Sequence, residues 1–270
     1  MNRPRTRTAL GVGIAIVLAS GAGAVFSRTP SLERDWDEDV RILTPVAWQA
    51  DGAIELAAVR DWRYTPDAVT SKTYTPARYL PADVQGLWMY EQPLGLGGRI
   101  AHTFLVFEFP ESYAPHEWLG LSVETRREVG ETYSIVRGVL RGFEVTHIWA
   151  TEEDLVRRRV EHLNYPLVRY PVTVPQDAIA RVFEQFAQET HELASTPRWY
   201  NTLLTNCTSS LIQYVNEAEP GAIPWDLSFI LTGRADDHLG TLGYVDLDKA
   251  EQITREWLDQ YPVRSPSSDP

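Results

Sequence analysis

The chain has 270 residues but only one cysteine, Cys207. One cysteine excludes an internal disulfide, so the fold must be stabilised by packing, to which nine tryptophans and eight phenylalanines contribute. Without a second cysteine or a pair of histidines at ligand spacing, the sequence does not support a zinc site, and we expect no metal and no cofactor. No cysteine lies near residue 25, which excludes a lipid-modified N-terminus.

The sequence also lacks the common motifs of phosphate binding and serine catalysis. It contains no G-x-x-x-x-G-K-[ST] loop and no G-x-S-x-G turn. The glycine-rich stretch 95–98 precedes a predicted strand rather than a helix, so it does not indicate a phosphate site. The net charge of -12 argues against nucleic acid as a partner.

The N-terminus has the pattern of an export signal. Arg3, Arg5 and Arg7 precede an uncharged run over residues 8–27. Residues 22–24 resemble a signal-peptidase site, but the uncharged run is also just long enough for an uncleaved membrane anchor. Either alternative places the body of a bacterial protein outside the cytoplasm, and an anchor would tether it to the inner membrane.

The rest of the chain predicts one domain. No second segment is long and apolar enough to cross a membrane. Composition and charge predict the following division: a signal peptide or anchor over 1–27, a tether and lead-in over 28–50, a domain over 51–260 and a disordered tail over 261–270.

Hydrophobic periodicity predicts strands in the first part of the domain and long helices in the second. This order favours an α+β fold with a mainly antiparallel sheet packed against helices. The predicted strands are 54–59, 100–109, 119–126, 143–150 and 167–174; the predicted helices are 152–162 capped by Thr151, 176–193, one beginning at Cys207, and 249–260; we expect extended loop over 64–81 and a turn over 93–98.

Cys207 lies where a nucleophilic cysteine would lie. Thr205 and Asn206 are good N-cap residues, and an apolar set at helical spacing follows, so a helix is predicted to begin here. The positive end of a helix favours a thiolate, the reactive form of cysteine. The alternative is that Cys207 is simply a small buried hydrophobic residue.

A catalytic cysteine needs a base, and His102 is the leading candidate because it lies within the most apolar predicted strand. Burying an imidazole there requires a polar partner, although a well-bonded core histidine would fit equally. His147, also on a predicted strand, is the rival. Glu124 could orient His102 from the neighbouring strand, or it could belong to a surface network with Arg126 and Glu128.

The chain is similar to the bacterial family named for the N-terminal periplasmic domain of Lnb, the lipoprotein N-acyltransferase. The similarity extends over about residues 33–250. It is carried by the segments 100–103 (IAHT), 122–128 (SVETRRE) with 130, 131 and 133 behind it, 197–201 (PRWYN) and 206–208 (NCT), and two more stretches fit, 154–159 and 223–231. That family resembles circularly permuted papain-like thiol enzymes of the NlpC type, in which a strand histidine precedes a cysteine at a helix N-terminus. The order of His102 and Cys207 agrees with this pattern.

The resemblance implies Cys207 as nucleophile, His102 as base and Glu124 as the orienting residue. Asn206 and the backbone amide of Cys207 are candidate oxyanion donors by geometry. Asn201 and Arg126 are the remaining candidates for shaping the site.

The sequence therefore predicts an exported enzyme that forms a thioester on Cys207. Its expected substrate is an ester or amide of the cell envelope, either lipid, lipoprotein or peptidoglycan, and the expected membrane contact is the N-terminal segment. The chain lacks the further membrane segments expected of the acyltransferase, which leaves the acceptor open. Two alternatives remain, a cell-wall amidase or peptidase of the NlpC type and a non-catalytic binding or scaffold protein.

Overall fold

A computed structural model describes residues 27–95, 97–259 and 261. The expected export segment and the expected C-terminal tail lie outside the described residues, except for Ser27 and Tyr261. Tyr261 packs against Trp257 and donates a hydrogen bond to Glu152. None of the helices within the described ranges has the length and apolar character needed to cross a membrane.

One mixed sheet organises the described chain. Its order is β1-β2-β7-β6-β5-β4-β8-β9, with β3 paired to β2 outside this path. All pairs are antiparallel except β2 with β7, so the α+β class and the mainly antiparallel sheet are confirmed. The strands are β1 Val46–Trp48, β2 Ile54–Tyr64, β3 Val69–Tyr79, β4 Gly86–Gly95, β5 Ile100–Glu108, β6 Trp118–Arg126, β7 Glu144–Thr151, β8 Leu167–Pro171 and β9 Glu251–Ile253.

Helices cover both faces of the sheet. The α-helices are α1 Ile135–Val139, α2 Glu152–Arg157, α3 Gln176–Leu193, α4 Cys207–Ala218, α5 Ala235–Thr241 and α6 Arg255–Leu258. A π-helical turn, Arg158–His162, continues α2. Short 3-10 turns cover Glu38–Val40, Pro81–Asp83, Glu111–Tyr113, Leu227–Phe229, Thr232–Arg234 and Leu247–Lys249.

Alternation along β5 divides its side chains between two hydrophobic clusters. Leu105 and Phe107 belong to the larger cluster, which α3 and α4 cover. Phe104 and Val106 belong to the smaller cluster on the opposite face, which α2 covers. His102 shares the strand face of Phe104, and its ring stacks on that of Phe104.

Two elements differ from the sequence prediction. The stretch predicted as extended loop over 64–81 contains β3, which forms a long hairpin with β2. Among the described strands β3 pairs with β2 only, so it lies at an edge of the sheet. Most of its side chains are polar and at least partly exposed, and its pattern therefore does not resemble that of a buried strand. Pro76 is tolerated because β3 is an edge strand.

The helix predicted over 249–260 is wrong. This stretch holds the end of a 3-10 turn, β9 and the short helix α6. β9 pairs with β8 and places Ile253 in the smaller core, so tertiary pairing overrides local helical periodicity. Thr254 then caps α6 by accepting a hydrogen bond from the backbone of Trp257.

Residues 28–50, predicted as a tether and lead-in, include a packed part. Trp36 and Val40 are buried, and the backbone of Asp37 donates to the carbonyl of Arg127 just after β6. β1 adds Val46–Trp48 to the sheet. The strand β4 extends to Gly95 and thus includes the first part of the turn expected over 93–98.

Candidate active site

The sulfur of Cys207 lies at the first residue of α4. Asn206 caps this helix, because its side chain accepts a hydrogen bond from the backbone N–H of Ser209 at 2.8 Å. The Ser209 hydroxyl in turn accepts from the Asn206 N–H at 2.9 Å, which completes a capping box. This reciprocal pair defines where the helix begins and fixes Cys207 in its first turn.

The sulfur lies against the edge of β5. The ladder between β5 and β6 runs from Glu108–Trp118 to Phe104–Ser122 and ends there. Beyond this point, the Cys207 sulfur lies 4.0 Å from the carbonyl of Ala101, and the backbone N–H of Thr103 helps to lower the pKa of the thiol. The N-terminus of α4 therefore contacts the part of β5 that is not paired with β6.

His102 is held between a carboxylate and the thiol. Its Nε2 atom lies 2.8 Å from the hydroxyl of Ser122 and 3.2 Å from Oε1 of Glu124. The His102 imidazolium and the Cys207 thiolate stabilise each other, since each shifts the pKa of the other toward its charged form. Because Nε2 is engaged by Ser122 and Glu124, Nδ1 is the ring nitrogen that remains for the sulfur.

A buried arginine completes the site. Arg159, 2% exposed, donates to Glu124 Oε1 at 3.0 Å and to the Ser122 hydroxyl at 3.2 Å. Its guanidinium also lies over the ring of Phe104. Arg159 belongs to the π-helical turn after α2, a conformation that often occurs at functional sites.

Electrostatics favour a thiolate–imidazolium pair. Burial lowers the pKa of His102, but Glu124 and Cys207 outweigh this effect and raise it to about 9. Burial raises the pKa of the Cys207 thiol, but the charge and hydrogen bond of His102 outweigh it, so this pKa is lowered. Burial likewise raises the pKa of Glu124, while His102 and Arg159 hold it well below its usual range.

The sequence-predicted oxyanion and site-shaping residues lie elsewhere or are already bonded. The Asn206 side-chain amide donates to the carbonyls of Phe229 and Thr202, so it is not free to bind an oxyanion. The Asn201 side chain accepts from the backbone of Leu203 and Leu204 in the preceding turn. Both asparagines therefore position the chain before α4.

Arg126 also lies away from the sulfur. Its guanidinium donates to the carbonyls of Val40 and Arg41 and lies 4.3 Å from the ring of Trp36. It therefore fixes the segment before β1 on the sheet. Glu124 is hydrogen-bonded to Ser122 and Arg159 rather than to Arg126. Arg126 lies at the end of β6, where it is bonded to the segment before β1.

His147, the rival histidine, faces the other side of the sheet. It pairs with Val123 across β6 and β7, and its Nδ1 atom lies 2.9 Å from the hydroxyl of Thr190 on α3. Burial lowers its pKa to about 3, and the charge of Arg198 adds to this effect. His147 is thus a neutral core histidine.

Two buried charged residues near the site were not identified from the sequence. Arg159 follows Leu155 by four residues, so an arginine on the apolar face of a predicted helix was the available signal. Glu91 lies in the middle of the apolar strand β4, opposite Thr103. Burial, together with Asp236, Asp237 and Cys207, raises the pKa of Glu91 to about 8.

The segments around the start of α4 expose apolar side chains. Two hydrogen bonds join the loop before α4 to α1: the Asn201 side chain donates to the carbonyl of Val139, and the Thr202 hydroxyl donates to the carbonyl of Ile135. The Asn206 side chain joins the same loop to the carbonyl of Phe229. Large side chains of these segments that face solvent are Val136, Leu203, Leu204, Trp225 and Leu227.

Within the described part of the chain, no group of three or more histidine, cysteine or acidic side chains is arranged to hold a metal ion. The side chains gathered at the start of α4 are instead a thiol, an imidazole, a carboxylate and a guanidinium. This set suits proton transfer and nucleophilic attack.

Fold and site together define an α+β protein in which a buried cysteine lies beside a half-buried histidine and a half-buried glutamate, where a sheet edge meets a helix N-terminus. The family model for the Lnb N-terminal periplasmic domain matches residues 72–233, more than half of the chain. The chain belongs to this family, which indicates an extracytoplasmic location. No curated protein and no solved structure matches it.

Proposed function

We propose that this protein is a cysteine-dependent acyl-transfer or hydrolase enzyme with the permuted papain-like arrangement, acting on an ester or amide of the cell envelope. The observation that carries the proposal is the succession of Cys207, His102 and Glu124, in which Glu124 lies 3.2 Å from His102 and His102 lowers the pKa of Cys207. It contains a nucleophile, a base and an orienting group in the order that thiol catalysis requires. Arg159 and Ser122 hold the carboxylate that orients the base.

In the first half-reaction the Cys207 thiolate attacks the substrate carbonyl carbon, and a carbon–sulfur bond forms. The oxyanion is stabilised by the backbone N–H of Cys207, since the first amides of a helix lack intrahelical acceptors. The bond between the carbonyl carbon and the leaving group then breaks. The leaving oxygen or nitrogen takes the proton of the His102 imidazolium, and a thioester remains.

In the second half-reaction water or an amine attacks the thioester. Neutral His102 accepts the proton of the attacking group, the carbon–sulfur bond breaks, and the thiolate–imidazolium pair is restored. An acid or an amide is released. Which of the two acceptors is used determines whether the protein acts as a hydrolase or as a transferase.

The direct test is to trap the thioester. The full chain in detergent is incubated with p-nitrophenyl butyrate, and intact-mass spectrometry is used to detect a butyryl group on Cys207. We expect an adduct that hydroxylamine removes, and we expect none with Cys207→Ala. His102→Ala should slow its formation on the order of a thousandfold, whereas the exposed His191→Gln should not.

Turnover that persists in Cys207→Ala would overturn the proposal. Release of peptidoglycan fragments without any lipid or simple ester cleavage would indicate an amidase of the NlpC type. Absence of every acylated form, with the folded chain intact, would favour a binding or scaffold protein.

A further inference from the structure

An apolar cavity of about 320 Å³ lies beneath the candidate site, between α3, α4 and the sheet face that carries Met89 and Leu105. This size is within the range of small-ligand pockets. Residues of α4 spaced by three or four line one wall, so a single helix face borders the cavity over at least two turns. The α4 residues concerned are Thr208, Leu211, Ile212 and Val215.

One end of the cavity adjoins the catalytic sulfur. Thr103 and Thr208, the chain neighbours of His102 and Cys207, both line it, and their hydroxyls lie 3.1 Å apart. The Thr208 hydroxyl is also 3.9 Å from the Cys207 sulfur. A single side chain therefore separates the reactive atom from the apolar space.

The other end reaches charged residues at the surface. Arg181 forms ion pairs with Asp177 and Glu219, and all three line the cavity. From Thr208 to Val215 the helix rises about 10 Å, and the lining extends beyond Val215 to Glu219. The cavity is therefore an elongated space with the sulfur near one end and a solvated ion-pair rim at the other.

We propose that this cavity binds a long unbranched acyl chain whose carbonyl carbon lies at Cys207, and that the chain enters the cavity when the hydrogen-bonded hydroxyls of Thr103 and Thr208 move apart. This inference rests on the proposed thioester chemistry and names its substrate class. Between the threonine pair and the ion-pair rim the wall is formed mainly by aliphatic side chains, so a peptide or sugar placed there would lose hydrogen bonds. An alkyl chain loses none.

Binding along the cavity should make the enzyme selective for chain length. Each buried methylene group is worth about a fourfold gain in affinity. We therefore expect p-nitrophenyl laurate to acylate Cys207 with a kcat/KM at least about a hundredfold above that of p-nitrophenyl butyrate. A peptidase or a short-chain esterase would show no such preference.

A matched pair of variants on α4 tests the assignment. Val215→Phe fills the middle of the cavity, and Gln213→Phe adds the same ring to the exposed side of the same helix. The laurate-to-butyrate ratio of kcat/KM should fall about tenfold or more in Val215→Phe and stay unchanged in Gln213→Phe. Val215→Ala enlarges the cavity and should raise the ratio of palmitate to laurate ester, which provides a readout if the larger side chain prevents folding.

Binding without turnover separates this inference from the proposed function. Isothermal titration of Cys207→Ala with laurate should give binding that is lost when Val215→Phe is added. Laurate binding together with no acylation by any ester would overturn the thioester chemistry and leave the cavity assignment intact. Acylation by butyrate together with no laurate binding, or equal ratios in the two phenylalanine variants, would overturn the acyl-chain assignment.

Discussion

Oε1 of Glu124 lies 3.2 Å from Nε2 of His102, two residues beyond the pair Phe104–Ser122 at which the ladder of β5 and β6 ends. The carboxylate and the imidazole thus meet across the end of the ladder. The same ending leaves the backbone N–H of Thr103 available to stabilise the Cys207 thiolate. One irregularity of the sheet therefore accounts for both contacts of the site.

Glu124→Gln should lower the pH at which activity is lost on the alkaline side. In the proposed mechanism the His102 imidazolium donates a proton to the leaving group, so activity falls as the pH rises through its pKa of about 9. The charge of Glu124 raises this pKa, and its removal should move the alkaline limb toward neutrality. The measurement is kcat/KM for p-nitrophenyl butyrate against pH.

Glu128→Gln is the control for that experiment, because Glu128 pairs with Arg34 rather than with the site. Its profile should match that of the wild type. An alkaline limb that is the same in Glu124→Gln and in the wild type would show that Glu124 does not act on His102.

Asn206→Ser should reduce stability more than it reduces catalysis. Serine preserves an N-cap acceptor, but the donors to Phe229 and Thr202 are lost, so we expect the free energy of unfolding to fall by about 1–2 kcal/mol. Because the amide is occupied by these carbonyls, kcat should fall less than about tenfold. A loss of a hundredfold or more, typical of a lost oxyanion donor, would contradict this assignment.

Glu91→Gln should remove a loss of stability that occurs as the pH rises toward 8. Burial raises the pKa of Glu91 to about 8 in the folded chain, so unfolding releases its proton at neutral pH. Its contribution to stability is present at low pH and is lost as the pH rises toward 8, by on the order of 4 kcal/mol in total. Urea unfolding of the variant and the wild type at about pH 5 and pH 8 measures the difference.

The exposed Glu111→Gln is the matched control for Glu91 and should follow the wild type at both pH values. If Glu91→Gln loses as much stability between the two pH values as the wild type does, the buried carboxyl is not protonated in the folded chain.

Asp154→Ala should be strongly destabilising, since Asp154 holds the helix that carries Arg159. Its carboxylate accepts from the Arg60 guanidinium at 2.8 and 2.9 Å and from the Trp62 backbone at 2.8 Å. The change leaves Arg60 buried without its partner, so we expect a loss of about 3–5 kcal/mol in chemical denaturation. Asp177→Ala, at an exposed ion pair, should change stability little.

Much of the fold was predictable because local signals agree with the tertiary structure. The apolar spacing after Asn206 predicts the start of α4, and alternation over 119–126 predicts β6. β3 was not predictable as a strand, because an edge strand with mostly polar side chains leaves no alternation to read. β9 was not predictable, since its pairing with β8 is distant in sequence.

Of the side chains that the structure brings together at the site, the sequence predicted Cys207, His102 and Glu124. His102 and Glu124 lie on neighbouring strands whose order could be inferred, and the structure brings both together with Cys207. Arg159 reaches the site from a π-helical turn, which no local propensity indicates. Arg126 and Asn206 are bonded to backbone carbonyls of distant segments, and only the folded chain reveals those partners.

The most direct test of the thiolate–imidazolium pair is a pH titration of the ultraviolet absorbance of the Cys207 thiolate, which is the only thiol in the chain. In the wild type the thiol should ionise below the usual cysteine pKa, because His102 outweighs burial. In His102→Ala, burial and the charge of Glu124 still raise the pKa of the thiol, and only the backbone of Thr103 opposes them. Ionisation should therefore shift above the usual value, while His191→Gln should titrate like the wild type. Identical titration curves for His102→Ala and the wild type would contradict the account.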